Sequence, residues 1–304
     1  MVAWIFLGLV GWSSLADGQE AVPPVRELVS RIEAVRIGDD VNHLSGYGTR
    51  HSGSKEIIEA GQWIRDRLTA LGYEVEFHDF ALNGKTCRNV VATRLGKTEP
   101  DTFLVLGAHY DSRARNLGDP RAAAPGADDN ASGTSGLLEL ARILSQVETG
   151  CSIRLIAFSG EEQGLVGSTS YARKAAAEKH KIRAMLNMDM IGHPTDKNKV
   201  EVMVESDRGN RRPENDARSK AYADRMIVAA TTFTRLVPKP GPLYGTDYMP
   251  FEAEGFACIG VFDGADKAPF YHTDEDAPDV VDFEYAAEVV RMVLATALEI
   301  ANQP

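Results

Sequence analysis

The sequence is short of cysteine, short of positive charge and almost free of long apolar runs, and each shortage excludes something. Cys87, Cys151 and Cys258 are the three cysteines in 304 residues, and none forms a Cys-x-x-Cys pair. A disulfide-stapled scaffold is excluded, and at most one bridge is possible. Cys151 and Cys258 head or sit in apolar runs, which reads as buried, inert thiols. Lys plus Arg number 33 against 44 Asp plus Glu, a net charge of −11. A protein that tracks phosphates normally carries the opposite sign, so no nucleic-acid partner is expected. With 43% hydrophobic and 25% charged residues the chain is neither disordered nor fibrous. There is no internal repeat and no low-complexity tract.

The one apolar run near the start spans residues 2–12, too short to cross a bilayer as a helix. It fits the apolar region of a secretory leader, and Ser14-Leu15-Ala16 supplies small residues for cleavage after Ala16. No Lys or Arg precedes the run, and a buried N-terminal helix is the alternative. The expected organisation is a leader over 1–16, a linker over 17–24 and a single domain over 25–304. The mature chain is expected to lack a membrane span and to be periplasmic or secreted.

Apolar spacing predicts helices over 25–35, 57–71, 135–147, 169–181, 217–233 and 283–301. Alternating or continuously apolar segments predict strands over 73–80, 89–95, 102–108, 152–158, 185–191, 200–204 and 256–262. From residue 100 onward strands alternate with helices. The predicted fold class is therefore α/β, a three-layer α/β/α sandwich with a mostly parallel mixed central sheet. Functional groups should lie beyond the carboxyl ends of its strands. Residues 205–217 read as a solvated, charged connection.

Several apolar strands run straight into polar residues. One ends in His109-Tyr110-Asp111-Ser112, another in Ser159-Gly160-Glu161-Glu162, a third in Asp189, and the last is followed by Tyr271-His272-Thr273. Residues 125–133, PGADDNASG, precede a helix. Singly, each is ordinary: a strand-end His, a solvated Glu pair, an Asp-Asp-Asn turn with a helix cap. Asp189 is less so, because it lies among Met185, Leu186, Met188, Met190 and Ile191, and a buried carboxylate needs a cation or strong donors. Two histidines and several carboxylates together are zinc-ligand chemistry. For a set of His109, Asp129, Glu162, Asp189 and His272, two zinc ions and one hydroxide balance the three carboxylates, whereas one zinc leaves a negative charge. Asp111 stands two residues from His109 on an extended segment, on the same side, where it can fix the ring tautomer. Glu161 and Glu162 point different ways, so one can bind metal and the other act as general base.

The segments GAHYDS (107–112), PGADDNASG (125–133), SGEEQGLVGS (159–168), NMDMIG (187–192) and YHTDED (271–276) together resemble the co-catalytic di-zinc aminopeptidases, metallopeptidase family twenty-eight. The resemblance runs in order over residues 89–276; the upstream TRHSGS and the closing helix also look familial. It implies a zinc exopeptidase-like fold and two Zn2+. His109 and Asp189 would hold one ion, Glu162 and His272 the other, and Asp129 would bridge. The choice of Asp129 over Asp128 rests on the motif. Glu161 would be the general base, Asp111 and Asp276 would support the ligands, and the 129–130 peptide would be cis. The substrate would be a peptide with a free N-terminus. The chain departs from the pattern at Tyr248, where many relatives have His on the substrate side. Tyr244 and Tyr271 are candidates to stabilise an oxyanion, packing being the alternative for Tyr271. Met249 and Phe251 are candidates for an apolar pocket, or for core. The rival readings are a carboxypeptidase using Arg208, Arg211 and Arg212, a glutaminyl cyclase, and a non-catalytic binding module.

Overall fold

The computed structural model describes residues 24–196 and 200–303. The expected leader, and all of the expected linker but Pro24, lie outside the described residues. Among the described residues eight strands form one sheet. They are β1 (Glu74–Leu82), β2 (Lys85–Arg94), β3 (Glu99–His109), β4 (Cys151–Phe158), β5 (Lys181–Met188), β6 (Glu201–Ser206), β7 (Val237–Pro242) and β8 (Cys258–Phe262). Their order is β1-β2-β4-β3-β5-β8-β6-β7. The central β4, β3, β5 and β8 are parallel. The hairpin β1–β2 adds antiparallel to β4 at one side, while β6 lies antiparallel to β8 with β7 parallel to it at the other. Asn83 and Gly84, both with positive φ, close the hairpin as an Asn-Gly turn demands.

The pleat sends alternate side chains into two helical layers. Val90, Ala92, Leu104, Leu106, Ile153 and Leu155 pack in one core with α1 (Val25–Ser30), α2 (Ala34–Ser45), α3 (Glu56–Ala70), α4 (Gly133–Leu144), α6 (Asp216–Phe233) and α8 (Phe283–Ala301). Val91, Val105, Ile156, Phe158 and Met185 pack on the opposite face with α5 (Val166–Ala177) and α7 (Tyr248–Ala253). The molecule is thus the expected α/β sandwich with a mixed, centrally parallel sheet. The chain leaves β3 for β4 through α4 on one face, then reaches β5 through α5 on the other. The carboxyl ends of β3, β4 and β5 consequently open a crevice where the connections diverge. All three cysteines are buried and free. Among the described residues no helix is long and apolar enough to cross a membrane.

The structure corrects the sequence reading at several places. Residues 25–35 form two helices rather than one. Glu33 is extended, its N–H donates to Glu139 Oε1 on α4 (2.9 Å), and Arg142 of α4 takes the Arg31 carbonyl, so tertiary bonds replace helical ones. Both α7 and β7 went unpredicted. The prolines of β7, Pro238, Pro240 and Pro242, argue against a strand, yet they alternate with residues facing β6, where the N–H groups of Val237 and Leu243 donate to Val200 and Ser206. Residues 205–217 are not wholly solvated: Glu205 and Ser206 end β6, and Asp207 and Asn215 are buried.

Candidate metal centre

His109 is the last residue of β3, and Asp189 directly follows β5, its N–H still paired to Val261 of β8 (3.2 Å). Glu161 and Glu162 follow β4 after the turn at Ser159-Gly160. Asp129 comes from the kinked segment Ala127–Ser132 ahead of α4, and His272 from the loop after β8. These five ligand candidates converge. His109 Nε2 lies 3.2 Å from Asp189 Oδ1 and 3.3 Å from Asp129 Oδ1. His272 Nε2 lies 3.0 Å from Asp129 Oδ2 and 3.2 Å from Glu162 Oε2. Two triads able to hold a cation result, His109–Asp129–Asp189 and Asp129–Glu162–His272, each with its donor atoms within 4.8 Å. Asp129 belongs to both, one carboxylate oxygen in each.

The donor set fits zinc in type and arrangement. His272 Nε2 and Glu162 Oε1 are buried without a hydrogen-bond partner, although carboxylate oxygens surround the ring nitrogen. Buried polar atoms of this kind need something to bind. The Nδ1 of His109 is 3.2 Å from the Asp111 carbonyl, which can only accept, so Nδ1 carries a proton and Nε2 is the ring atom turned to the carboxylates, where a proton or a metal can bind. Burial alone would lower both imidazoles, but the facing carboxylates outweigh it. His109 is raised well above the usual value, chiefly by Asp189 and Glu161, and His272 is lifted to about 9 by Asp129 and Glu162. Burial raises Glu162 to about 7, with the Asp129 charge adding to it. For Asp129 burial is overcome by the two imidazoles, which hold it below the usual range. The cluster therefore attracts positive charge, whether protons or a metal.

Other residues hold this arrangement. The Asp111 carboxylate stands 3.6 Å from His109 Nδ1, and its oxygens accept the N–H groups of Glu161 and Glu162 (both 3.3 Å) and the Ser52 hydroxyl (3.2 Å). Asp276 accepts the N–H of Asp128 (2.8 Å) and of Asp129 (3.0 Å). Asn130 accepts from Gly133 and Met190 and donates to the Met188 carbonyl, stapling the turn to the end of β5. The Asp129–Asn130 peptide is cis. Asp128 accepts from Gly192 instead (2.9 Å), which takes it out of both triads and leaves Asp129 as the shared carboxylate. Thr246 donates to Asp189 Oδ2. Arg113 donates to Glu162 Oε2 (2.7 Å).

Sequence reasoning missed Arg50. Its guanidinium is fully buried and donates to the carbonyls of Leu44, Tyr110, Pro125 and Gly126. Burial lowers it to about 10, against the opposing pull of Asp276 and Asp111, so it is a fixed cation behind the acidic cluster. TRHSGS was noticed as a pattern, but nothing in it signals a buried arginine. Also missed were Glu205 and Asp247. Burial pushes them to about 8 and about 7, and the Tyr248 hydroxyl lies 2.8 Å from Glu205 Oε2.

A cleft of about 80 Å³ opens over the triads, lined by Glu161, Met190, Glu205, Thr246, Tyr248, Phe262, Asp266 and Tyr271, with Tyr244 at the rim. Burial raises the Glu161 carboxyl well above its usual range, and His109 opposes this. Tyr271 stacks on His272 with centroids 3.6 Å apart, so it both packs and faces the cleft, while Tyr244 is 71% exposed. Met249 and Phe251 do not line the cleft; Phe251 is fully buried between Phe158 and Tyr171. Arg211 and Arg212 border a separate groove with Arg173 and Met249, and Arg208 is exposed.

Known proteins resemble this chain in sequence and in fold. A "Probable zinc metalloprotease" of Pyrenophora tritici-repentis is 28% identical over 363 residues, covering 96% of this chain and 73% of that one. The crystal structure of the Legionella pneumophila LapA aminopeptidase superposes with a TM-score of 0.77 at 21% identity, covering 92% of this chain and 75% of the other. A Bacteroides thetaiotaomicron glutaminyl cyclase superposes with a TM-score of 0.72 at 21% identity, covering 93% and 100%. The sequence model of Peptidase family M28 matches residues 89–297, a span that holds every residue of both triads. The chain belongs to peptidase family M28.

Proposed function

We propose that this metallopeptidase removes the N-terminal residue from peptides, using two zinc ions and Glu161 as general base. The observation that carries the two-ion reading is the shared carboxylate: Asp129 offers Oδ1 to the His109–Asp189 group and Oδ2 to the Glu162–His272 group. Zinc bound there would polarise the scissile carbonyl and lower the pKa of a water to about 7. Glu161, adjacent to Glu162 and lining the cleft, takes the proton from the attacking water and hands it to the leaving amine. Its raised affinity for a proton suits both transfers. Tyr271, fixed against His272, and Tyr244 at the rim are the donors available to a developing oxyanion.

Exopeptidase action at the amino end is supported by the charge of the cleft. Glu161, Glu205 and Asp266 line it beside the triads, and no Lys or Arg does so among the described residues. A free α-ammonium is attracted there, whereas a substrate carboxylate finds no cation. The arginines that a carboxypeptidase would require lie elsewhere: Arg211 and Arg212 border a separate groove, and the Arg212 guanidinium donates to the Ala253 carbonyl (3.0 Å). A glutaminyl cyclase on this fold is the second reading; the completeness of both triads favours the two-ion peptidase. A binding module would not need Glu161 in place. The residue 2–12 run supports action outside the cytoplasm.

The test uses zinc-loaded protein and a matched pair of peptides, one with a free amino terminus and one acetylated. Loss of the first residue from the free peptide alone is expected by mass spectrometry. Removal of the C-terminal residue from both would replace this reading. Glu161→Gln is expected to keep its zinc while losing about 10²–10⁴ in kcat. Near-wild-type turnover in that variant would remove Glu161 from its role.

A further inference from the structure

Glu205 is out of place in a strand. It lies on β6 between Gly241 of β7 and Gly260 of β8, its register partners on either side. A Cβ at Gly260 would fall 2.6 Å from Glu205 Oε2 and 2.4 Å from the Tyr248 ring, so that glycine leaves the room both side chains occupy. Tyr248 Oη accepts the Tyr244 N–H (2.7 Å), lies 2.6 Å from the Tyr244 carbonyl and stands 2.8 Å from Glu205 Oε2, so the phenol and the carboxyl are held against each other. Among the described residues no hydrogen bond reaches Oε1, and the side chain lines the cleft with Asp189. Glu205 is only 6% exposed, and among the described residues no ion pair reaches it.

Part of the wall nearby is apolar. Met190 and Phe262 line the same cleft, and Asp266 is the third acid there, with Glu161 and Glu205, that no triad uses. A passage with aliphatic and aromatic walls and a tethered carboxyl matches a side chain that is a flexible apolar stem with a cationic head. A leucine in that place would set methyl groups against a buried carboxyl and leave it without a partner, a mismatch that polar pockets penalise strongly.

We propose, resting on the aminopeptidase reading, that Glu205, held by Tyr248, selects peptides whose N-terminal residue is lysine or arginine. Glu205 contacts the head of that side chain and takes no part in bond cleavage. The departure at Tyr248 acquires a purpose here: a phenol reaches Glu205 across the space that Gly260 leaves.

The experiment compares lysine with norleucine, which has the same stem and no ammonium. Zinc-loaded enzyme is assayed on Lys-, Arg-, norleucyl- and Leu-p-nitroanilides, and binding of lysine and norleucine hydroxamates is measured by calorimetry. The expected result is at least a tenfold higher kcat/KM for Lys and Arg than for norleucine, and a matching ratio in hydroxamate Kd. In Glu205→Gln, which keeps the shape and one acceptor oxygen but cannot ionise, the Lys:norleucine ratio should fall toward one. Tyr248→Phe should lower the ratio by a smaller factor, because the carboxyl loses its tether but stays in the cleft. Cleavage of Leu or norleucine substrates as fast as Lys overturns the selectivity and leaves the aminopeptidase reading standing. A lysine preference that survives Glu205→Gln overturns the assignment to this residue. Absence of cleavage with any amino terminus overturns the aminopeptidase reading, and the hydroxamate ratio then decides the pocket alone: Glu205-dependent lysine binding supports it, equal binding overturns it.

Discussion

The two halves of the candidate metal centre are built from different material. The His109–Asp189 half rests on the sheet: His109 ends β3, Asp189 follows β5, and both strands are buried on both faces. The Glu162–His272 half rests on loops, with His272 in a left-handed backbone conformation (φ 58°) against Tyr271 and Glu162 leaning on Arg113. Sheet ends fix side chains through many ladder bonds, whereas loops do so through a few local ones. The strand-borne half should bind its cation tighter and exchange it more slowly, and the loop-borne half should be the first to empty.

Substitution at the shared carboxylate separates the halves most strongly. On the two-ion reading, Asp129→Asn should lose both ions, while Asp189→Asn should lose one and leave the Glu162–His272 half filled. Elemental analysis after dialysis reads this directly, and full occupancy in either variant would remove that residue from the ligand set. Arg50→Met leaves the buried Tyr110 and Pro125 carbonyls without their donor and removes a charged donor from those of Leu44 and Gly126, which keep the N–H groups of Tyr47 and Ala131. A loss of roughly 3 kcal/mol in urea unfolding is expected. Asp111→Asn is a gentler cut, since it touches both halves: the His109 ring on one side, the Glu161 and Glu162 N–H groups on the other. A loss of about 10–100-fold in zinc affinity is expected. A loss confined to one half would show that Asp111 supports only that half.

Acidity offers the mildest probe. In the metal-free protein His272 is lifted to about 9, so its contribution to stability is complete below the unfolded value near 6.5 and is lost as pH rises through 9. Asp247 and Asp276 at about 7 and Glu205 at about 8 act in the same direction. Their folded forms hold protons that the unfolded chain has released, so stability falls as pH climbs from about 4 to 8. The metal-free Tm should therefore decline from pH 5 to pH 9. Zinc competes with those protons, so the stabilisation it gives should grow over the same interval. Melting curves with and without zinc at four pH values test this. Parallel curves would show that the histidines do not exchange protons for metal.

Much of the site was legible in the sequence because its residues terminate apolar strands, where a His or Asp among methionines and leucines has no bland explanation. Asp276 and the cis peptide were legible only through the family resemblance. Glu205 was not, since a single acid in EVMVES looks like the solvent-facing half of an alternating strand. Its burial depends on Gly260 and Tyr248, which are far off in sequence. Arg50 was hidden for a related reason: arginine is ordinarily exposed, and only the fold brings four carbonyls around it. The break between α1 and α2 depends on Glu139, about a hundred residues away, which no local periodicity reports.

The prolines of β7 have a consequence for how copies of this protein meet. Its odd-numbered residues face β6, so Pro238, Pro240 and Pro242 present their nitrogens outward along the rim of the sheet. That rim has carbonyls and no N–H groups across three successive outward positions. A strand from a neighbouring molecule cannot complete a ladder against it, and the sheet cannot be continued into a polymer from that side. At this rim a chain so rich in apolar strands carries a stop against edge-to-edge aggregation, written as every second residue of VPKPGP.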